Sequence, residues 1–340
     1  MTTAAGQYAP IMRKVTADEA AFRDRLEPHR RELLAHCYRM LGSVQDAEDA
    51  VQETLVNAWR GMQRFEGRSS LRSWLYTIAT NVCLRMLERR SPRVLPIDYG
   101  PPADPLSPLG PPLAESTWLE PYPDMELGLE GGLAGPEARY LQREAIELAF
   151  IAALQHLPAR QRAVLILRDV LGFSGSEVAA TLDTTPTSVY SLLQRAHATL
   201  DARLPERSQA TALRSLGDEQ LRAIVNRYVE AWAAGDVAAI VAMLTDDATI
   251  AMPPTASWLR GREAVGAGLL AGAMAGGNRW RLLPTSANAQ VAMGAYVLGP
   301  SGAFQPYGIT VLSLRGDLVA EITTFRDPAA PPRFGLPAVA

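Results

Sequence analysis

Residues 92–138 constrain the chain more than any other stretch: PRVLPIDYGPPADPLSPLGPPLAESTWLEPYPDMELGLEGGLAGPEA. Proline fixes φ and removes a backbone donor, so a segment this dense in proline supports neither a regular helix nor an interior strand. The segment is also acidic, with a net charge of −7, whereas residues 22–91 carry +3, residues 139–207 carry +1 and residues 208–340 balance. A chain of 340 residues interrupted in this way reads as separate folding units joined by an extended acidic linker. Its aromatics, Trp118 and Tyr122, argue against a pure spacer. The expected division is a flexible lead-in over 1–21, a helical unit over 22–91, the linker over 92–138, a second helical unit over 139–207 and a third unit over 208–340.

The overall net charge of −3 does not exclude a nucleic-acid partner, because recognition depends on local patches. Cys37 and Cys83 are the only cysteines and neither belongs to a C-x-x-C pair. A zinc ribbon or disulfide framework is therefore not expected, and a reducing compartment fits. No metal or cofactor is anticipated. The N-terminal stretch lacks the apolar core of a signal peptide and no apolar run reaches membrane-spanning length, so the expectation is a cytoplasmic protein without a membrane partner.

From Phe22 the spacing predicts a helix to Leu41, with Leu33, Leu34, Cys37, Met40 and Leu41 three and four apart. Gly42-Ser43 breaks it. A second helix starts near Val44, carrying one stripe of Val44, Ala47, Val51, Leu55 and Ala58 and another of Asp46, Asp49 and Glu53. That acidic stripe reads either as a solvated face or as a surface for a basic protein. A polar loop, GMQRFEGRSS, holds Phe65, which is placed to stack on an unpaired base. Ser70 caps a third helix from Leu71 to about Arg90. Trp74 on that helix reads as core, and the terminal Arg85, Arg89 and Arg90 suit either a helix dipole or phosphates.

Beyond the linker, amphipathic spacing runs to Leu157-Pro158, and ARQRAVLILRDVLGF gives a further helix. SGSEVAATL then starts at a serine cap, Asp183-Thr184-Thr185 turns, and Pro186 opens a helix to Leu200. The pattern fits a helix-turn-helix whose outward residues are Thr187, Ser188, Tyr190, Ser191, Gln194 and Arg195, or a helical pair that merely packs. From Leu216 the sequence predicts helices followed by alternating strands, an α+β cone around a curved antiparallel sheet with a pocket between sheet and helices. The expected fold class is thus two all-α domains, an extended linker and an α+β cone.

DAEDAVQETLVNAWR at 46–60 and FEGRSSLRSWLYTIATNVCL at 65–84 resemble region 2 of the extracytoplasmic-function sigma factors of the sigma-70 family. LPARQRAVLILRDVLGFSGSEVAATLDTTPTSVYSLLQRAHATL at 157–200 resembles their region 4, and NRYVEAWAAGDVAAIVAMLTDDATI onward resembles the SnoaL-like, nuclear-transport-factor-2-like fold. The resemblance implies an alternative sigma factor that binds core RNA polymerase and directs promoter recognition, melting and initiation, with its C-terminal domain modulating that activity. It assigns Asp46, Glu48, Asp49, Gln52 and Glu53 to the β′ clamp helices of polymerase. Phe65, Ser69 and Asn81 become pocket residues for a base flipped from the −10 element, and Arg85, Arg89 and Arg90 become backbone contacts. Region 4 implies contact with the β flap and a helix in the −35 major groove. Tyr190, Leu192 and His197 depart there from the commoner basic pattern, implying weak DNA binding without polymerase. The linker, by the same resemblance, threads the polymerase cleft toward the RNA exit path. An anti-sigma factor or a small ligand would be further partners.

SnoaL-like domains include isomerases and cyclases, so the cone raises an alternative: a DNA-binding regulator fused to an isomerase-like or cyclase-like enzyme. Tyr228 matches the oxyanion-hole tyrosine of the ketosteroid isomerases, a worked example of this chemistry. Met252, however, stands where the general base is expected, and no histidine follows His197. The domain therefore reads as noncatalytic, with Tyr228, Trp232 and Met252 as candidate pocket residues and Asp246 and Asp247 as turn residues at a strand entry.

Overall fold

A computed structural model describes residues 17–67, 69–114, 117–127 and 143–340. Expectations for 1–16, Arg68, 115–116 and 128–142 lie outside them. Helix α1 (Ala17–Leu41) starts five residues before the predicted Phe22, so the helix includes the end of the expected lead-in. It stops at Gly42, whose φ of 72° suits a residue without a Cβ. A Cβ there would also meet Leu119 of the linker at 2.5 Å. Helix α2 (Val44–Gly61) is capped by Ser43, a residue read from sequence only as part of the break, and α3 (Leu71–Leu87) by Ser70, as the sequence predicts.

The linker is not a free tether. It forms short helices α4 (Pro96–Tyr99) and α5 (Asp124–Leu127), pairs Val94 with Trp118, and bridges to the cone at Pro112–Thr255 and Pro123–Ala287. Trp118, Leu119 and Tyr122 are buried. Proline blocks long elements, but it leaves apolar side chains free to pack, and those docked the chain.

Helices α6 (Leu148–Gln155) and α7 (Ala159–Leu165) follow, the latter running into a π-helical stretch, Ile166–Val170. Helix α8 (Gly175–Thr181) opens with a Ser174/Glu177 capping box, and α9 (Pro186–Asp201) with Thr185 as cap and Pro186 in its first turn. Residues of α1–α3 and of α6–α9 share one hydrophobic core. Tyr76 of α3 meets the Phe173 ring at 5.4 Å, and the hydroxyls of Thr77 (α3) and Thr181 (α8) are 3.0 Å apart.

The C-terminal cone begins with α10 (Gln209–Ala234), kinked at Gly217, then α11 (Val237–Ala242) and α12 (Arg262–Ala271). Its strands are β1 (Leu244–Ala251), β2 (Trp258–Arg260), β3 (Trp280–Ala287), β4 (Gln290–Leu298), β5 (Phe304–Arg315) and β6 (Leu318–Phe325), in the order β2-β1-β6-β5-β4-β3. The predicted antiparallel sheet is in fact mixed, because β1 pairs parallel to β6. Asp246 and Asp247 lie inside β1, not in a turn. Both are exposed, and they pair with Arg262 and Arg315 at 3.0 Å. One face of the sheet packs on α10–α12; the other meets Leu148 and Phe334.

Candidate functional site

The outward face of α2 carries Asp49, Gln52 and Glu53, all exposed. Val56 and Trp59 continue it, 47% and 41% exposed. These two apolar residues lie off the buried Val51/Ala58 stripe, and that displacement was their only sequence signal. An acidic face interrupted by exposed apolar groups suits a protein partner better than bulk water does.

Asp46 does not share that face. It is buried, accepts from Arg93 at 2.7 Å and pairs with Arg90. Burial pushes the Asp46 carboxyl up, but hydrogen bonds and charge from Arg90 and Arg93 outweigh it and hold the group below its ordinary range. Arg93 also donates to the Trp118 carbonyl (2.8 Å) and reaches Glu120 (3.4 Å). Glu120 in turn accepts from Ser43 Oγ at 2.8 Å and from the Val44 amide at 2.9 Å, so a linker carboxylate satisfies the N-terminus of α2. Glu48 is half-buried and pairs with Arg333 of the C-terminal segment at 3.2 Å.

Phe65 stacks on Trp74 with ring centroids 4.9 Å apart. Trp74 is half-buried against the core, so it serves the core on one side and Phe65 on the other. Asn81 and Arg85 follow Trp74 on α3 at two and three turns, roughly 10 and 16 Å along the same face at 1.5 Å per residue. Ser69 is exposed at the mouth of this stripe. Arg85 binds Glu53 across the two helices at 2.8 Å, Arg89 is exposed, and Arg90 is engaged with Asp46.

On α9 the structure places five of the six residues read as outward at the surface. Thr187, Tyr190, Ser191, Gln194 and Arg195 are exposed, and Ser188 is half-buried with its amide on the Thr185 cap. Leu192 is half-buried against the core, and His197 Nε2 lies 2.6 Å from Asp169.

The cone joins these helical parts through residues that sequence reasoning missed. Asn288, at the tip of the β3–β4 hairpin, is fully buried. Its side chain donates to Tyr38 Oη (2.9 Å) and the Ile146 carbonyl (2.8 Å) and accepts from the Tyr122 amide (2.8 Å). Gln290 accepts from the Leu148 amide at 2.8 Å. An Asn-Ala pair between strands signals only a turn; its burial depends on three distant partners.

Inside the cone, Tyr228, Trp232 and Met252 all line a cavity of about 680 Å³. Burial pushes the Tyr228 hydroxyl well above its ordinary range. No group of three or more metal-ligating side chains occurs among the described residues, and none of their helices is long and apolar enough to cross a membrane.

Three family models match in the order of these units: Sigma-70 region 2 over residues 26–93, Sigma-70 region 4 over 142–200 and the SnoaL-like domain over 225–322. The chain is 43% identical over 314 residues to the ECF RNA polymerase sigma factor SigG of Mycobacterium tuberculosis, covering 92% of this chain and 82% of that protein. It is 30% identical over 204 residues to the ECF RNA polymerase sigma factor SigE of Mycolicibacterium smegmatis, covering 58% of this chain and 68% of that one. The crystal structure of the Mycobacterium tuberculosis extracytoplasmic function sigma factor SigJ superposes with a TM-score of 0.53 at 22% identity, covering 90% of this chain and 96% of that one. The fold is therefore shared along nearly the whole length.

Proposed function

The chain belongs to the extracytoplasmic-function RNA polymerase sigma factors, and from that premise we propose how its parts divide the work. It is an alternative sigma factor, with core RNA polymerase and promoter DNA as partners. In our reading, Asp49, Gln52, Glu53, Val56 and Trp59 form the standing part of the polymerase-docking surface. Asp46 joins it once Arg90 and Arg93 let go, and Glu48 once Arg333 does. Phe65, Ser69 and Asn81 receive the flipped −10 base, and Arg85, Arg89 and Arg90 hold the backbone beside it. The exposed face of α9 reads the −35 groove. A sigma factor works where polymerase is, which for this chain is the cytoplasm.

The observation that carries this reading is the shared core of regions 2 and 4. Promoter elements near −10 and −35 are about 25 base pairs apart, roughly 85 Å at 3.4 Å per step. Thr77 and Thr181, one from each region, are 3.0 Å apart. The closed arrangement and promoter engagement exclude one another, so the closed form is the polymerase-free one. The cone, through Asn288, Gln290 and Arg333, is the latch that favours it. Met252 in place of an acid supports a noncatalytic role for the cone.

Reconstitution of the full chain with core polymerase tests both levels. Asn288→Ala and Arg333→Glu are expected to raise polymerase affinity and the initial rate of transcription from a cognate promoter. Unchanged affinity in both variants would remove the latch. Failure of the wild-type chain to direct initiation across a genomic promoter library would overturn the assignment of its working surfaces.

A further inference from the structure

A piece of the sigma linker forms part of the wall of the cone cavity. Residues 104–109, DPLSPL, contribute to its lining. Both ends of this strap are tied to the cone. The Ala103 amide donates to the Trp258 carbonyl and the Leu113 amide to the Pro254 carbonyl, each at 2.8 Å. The Trp258 indole returns a hydrogen bond to the Gly100 carbonyl at 2.8 Å. Between the anchors, Pro105 and Pro108 have no amide to donate, and Leu106 is 74% exposed.

The opposite walls are aromatic. Trp280 stands edge-on to Trp232 (5.6 Å) and to Tyr307 (4.9 Å). Tyr228 Oη, on a fully buried residue, and Trp232 Nε1, on a residue 9% exposed, face each other in these walls and reach no other hydrogen-bond partner. The other two indoles are satisfied, Trp280 by the Ala273 carbonyl and Trp258 by Gly100. The indole can only donate, so the Tyr228 oxygen receives it and the buried hydroxyl's own proton is left without an acceptor, which marks the place of a ligand oxygen. Arg326 supplies the charge. Its guanidinium lies 5.2 Å from the Tyr307 ring, its Nε is unpartnered, and no carboxylate among the described residues pairs with it. Asp104, the carboxylate of the strap, is exposed and already accepts from the Leu106 amide at 2.9 Å.

We propose that the cone and the linker strap together form a binding site for an apolar, ring-bearing organic anion. Its acid group sits on Arg326, its ring among Trp232, Trp280 and Tyr307, and an acceptor oxygen takes the Tyr228 hydroxyl. A ligand that touches the strap binds the strapped form better than the released one and shifts the chain toward it. The site stands on the cavity alone and does not require the latch reading.

Naphthalene derivatives test the chemistry without polymerase. The full chain is titrated with 2-naphthoate, the neutral 2-naphthalenemethanol and the cationic 2-naphthylmethylammonium, followed by calorimetry. Naphthoate is expected to saturate one site, with the alcohol at least tenfold weaker and the ammonium weaker still. Arg326→Gln should bring naphthoate to the level of the alcohol and leave the alcohol unchanged, while Arg326→Lys retains most of the preference. Tyr228→Phe should weaken naphthoate and alcohol alike. If Arg326→Gln does not fold, the order of the three probes on the wild-type chain decides. At saturation, chymotrypsin cleavage after Leu106 and Leu109 should slow several-fold. Absence of saturable naphthoate binding, or no preference for the anion, overturns the site; unchanged cleavage at saturation removes the strap from it.

Discussion

Asn288 joins three parts of the chain through one side-chain amide. Replacing it with alanine leaves the Tyr122 amide and the Ile146 carbonyl buried without partners, at about 1–3 kcal/mol for each unsatisfied group. Asn288→Ala is therefore expected to lower the denaturant midpoint without altering the cone's own ligand titration. His36 makes a second prediction at this scale. Burial, reinforced by Arg39 and Arg72, lowers its pKa to about 3, and its Nε2 lies 3.0 Å from Thr80 Oγ1. The unfolded state gains a proton near pH 6.5 that the folded state refuses, so stability is full above 6.5 and is lost as pH falls toward 3. The loss approaches about 1.4 kcal/mol per pH unit within that window. Chemical denaturation at a series of pH values should show this slope, and His36→Gln should flatten it. The caps Ser70 and Ser174 and the opening Pro186 were legible because each acts within four residues of itself. The fate of Asp46 was not, because its partner Arg93 lies 47 residues away.

At the scale of elements, the helices could be read from spacing and the sheet only in part. β3 contains Pro284, which argues against an interior strand; it is an edge strand, where a missing donor is tolerated. The parallel pairing of β1 with β6 was invisible because it joins strands some seventy residues apart. The junction between region 4 and α10 rests on Glu147, which accepts from the Gln209 and Ala210 amides at 2.8 and 2.6 Å. Burial pushes the Glu147 carboxyl up to about 7 against the opposing pull of those amides. The folded state then holds a proton that the unfolded state releases above about pH 4.5, so this group's contribution falls as pH rises from 4.5 to 7. Its slope opposes that of His36, and Glu147→Gln should remove it, seen as a steeper net rise in stability over that range. For α9, Arg195→Ala is expected to weaken −35 duplex binding by the holoenzyme and to reduce the salt slope by about one. An unchanged slope would place Arg195 away from phosphate.

For the whole molecule, opening is the central event. Donor and acceptor dyes on exposed positions of α2 and α9 should report a short separation in the free chain and one longer by tens of ångströms in the holoenzyme, since the promoter spacing demands it. Equal transfer efficiency in the two states would refute the closed-to-open scheme. That regions 2 and 4 are distinct units was legible from the linker's composition. That they bury one another was not, since the apolar residues of a helix do not say which helix they face.

The shared core has a quantitative corollary. In the proposed scheme, Tyr76, Phe173 and the Thr77–Thr181 contact all part before polymerase uses both regions. If only a fraction of molecules is open at any moment, the apparent affinity for polymerase is the intrinsic one scaled down by that fraction. A latch closing 99 molecules in 100 acts on the promoter as though the cell held a hundredth of the protein. Loosening Asn288 then equals a rise in effective dose, and this factor gains access to a limited pool of polymerase with no change in its own synthesis.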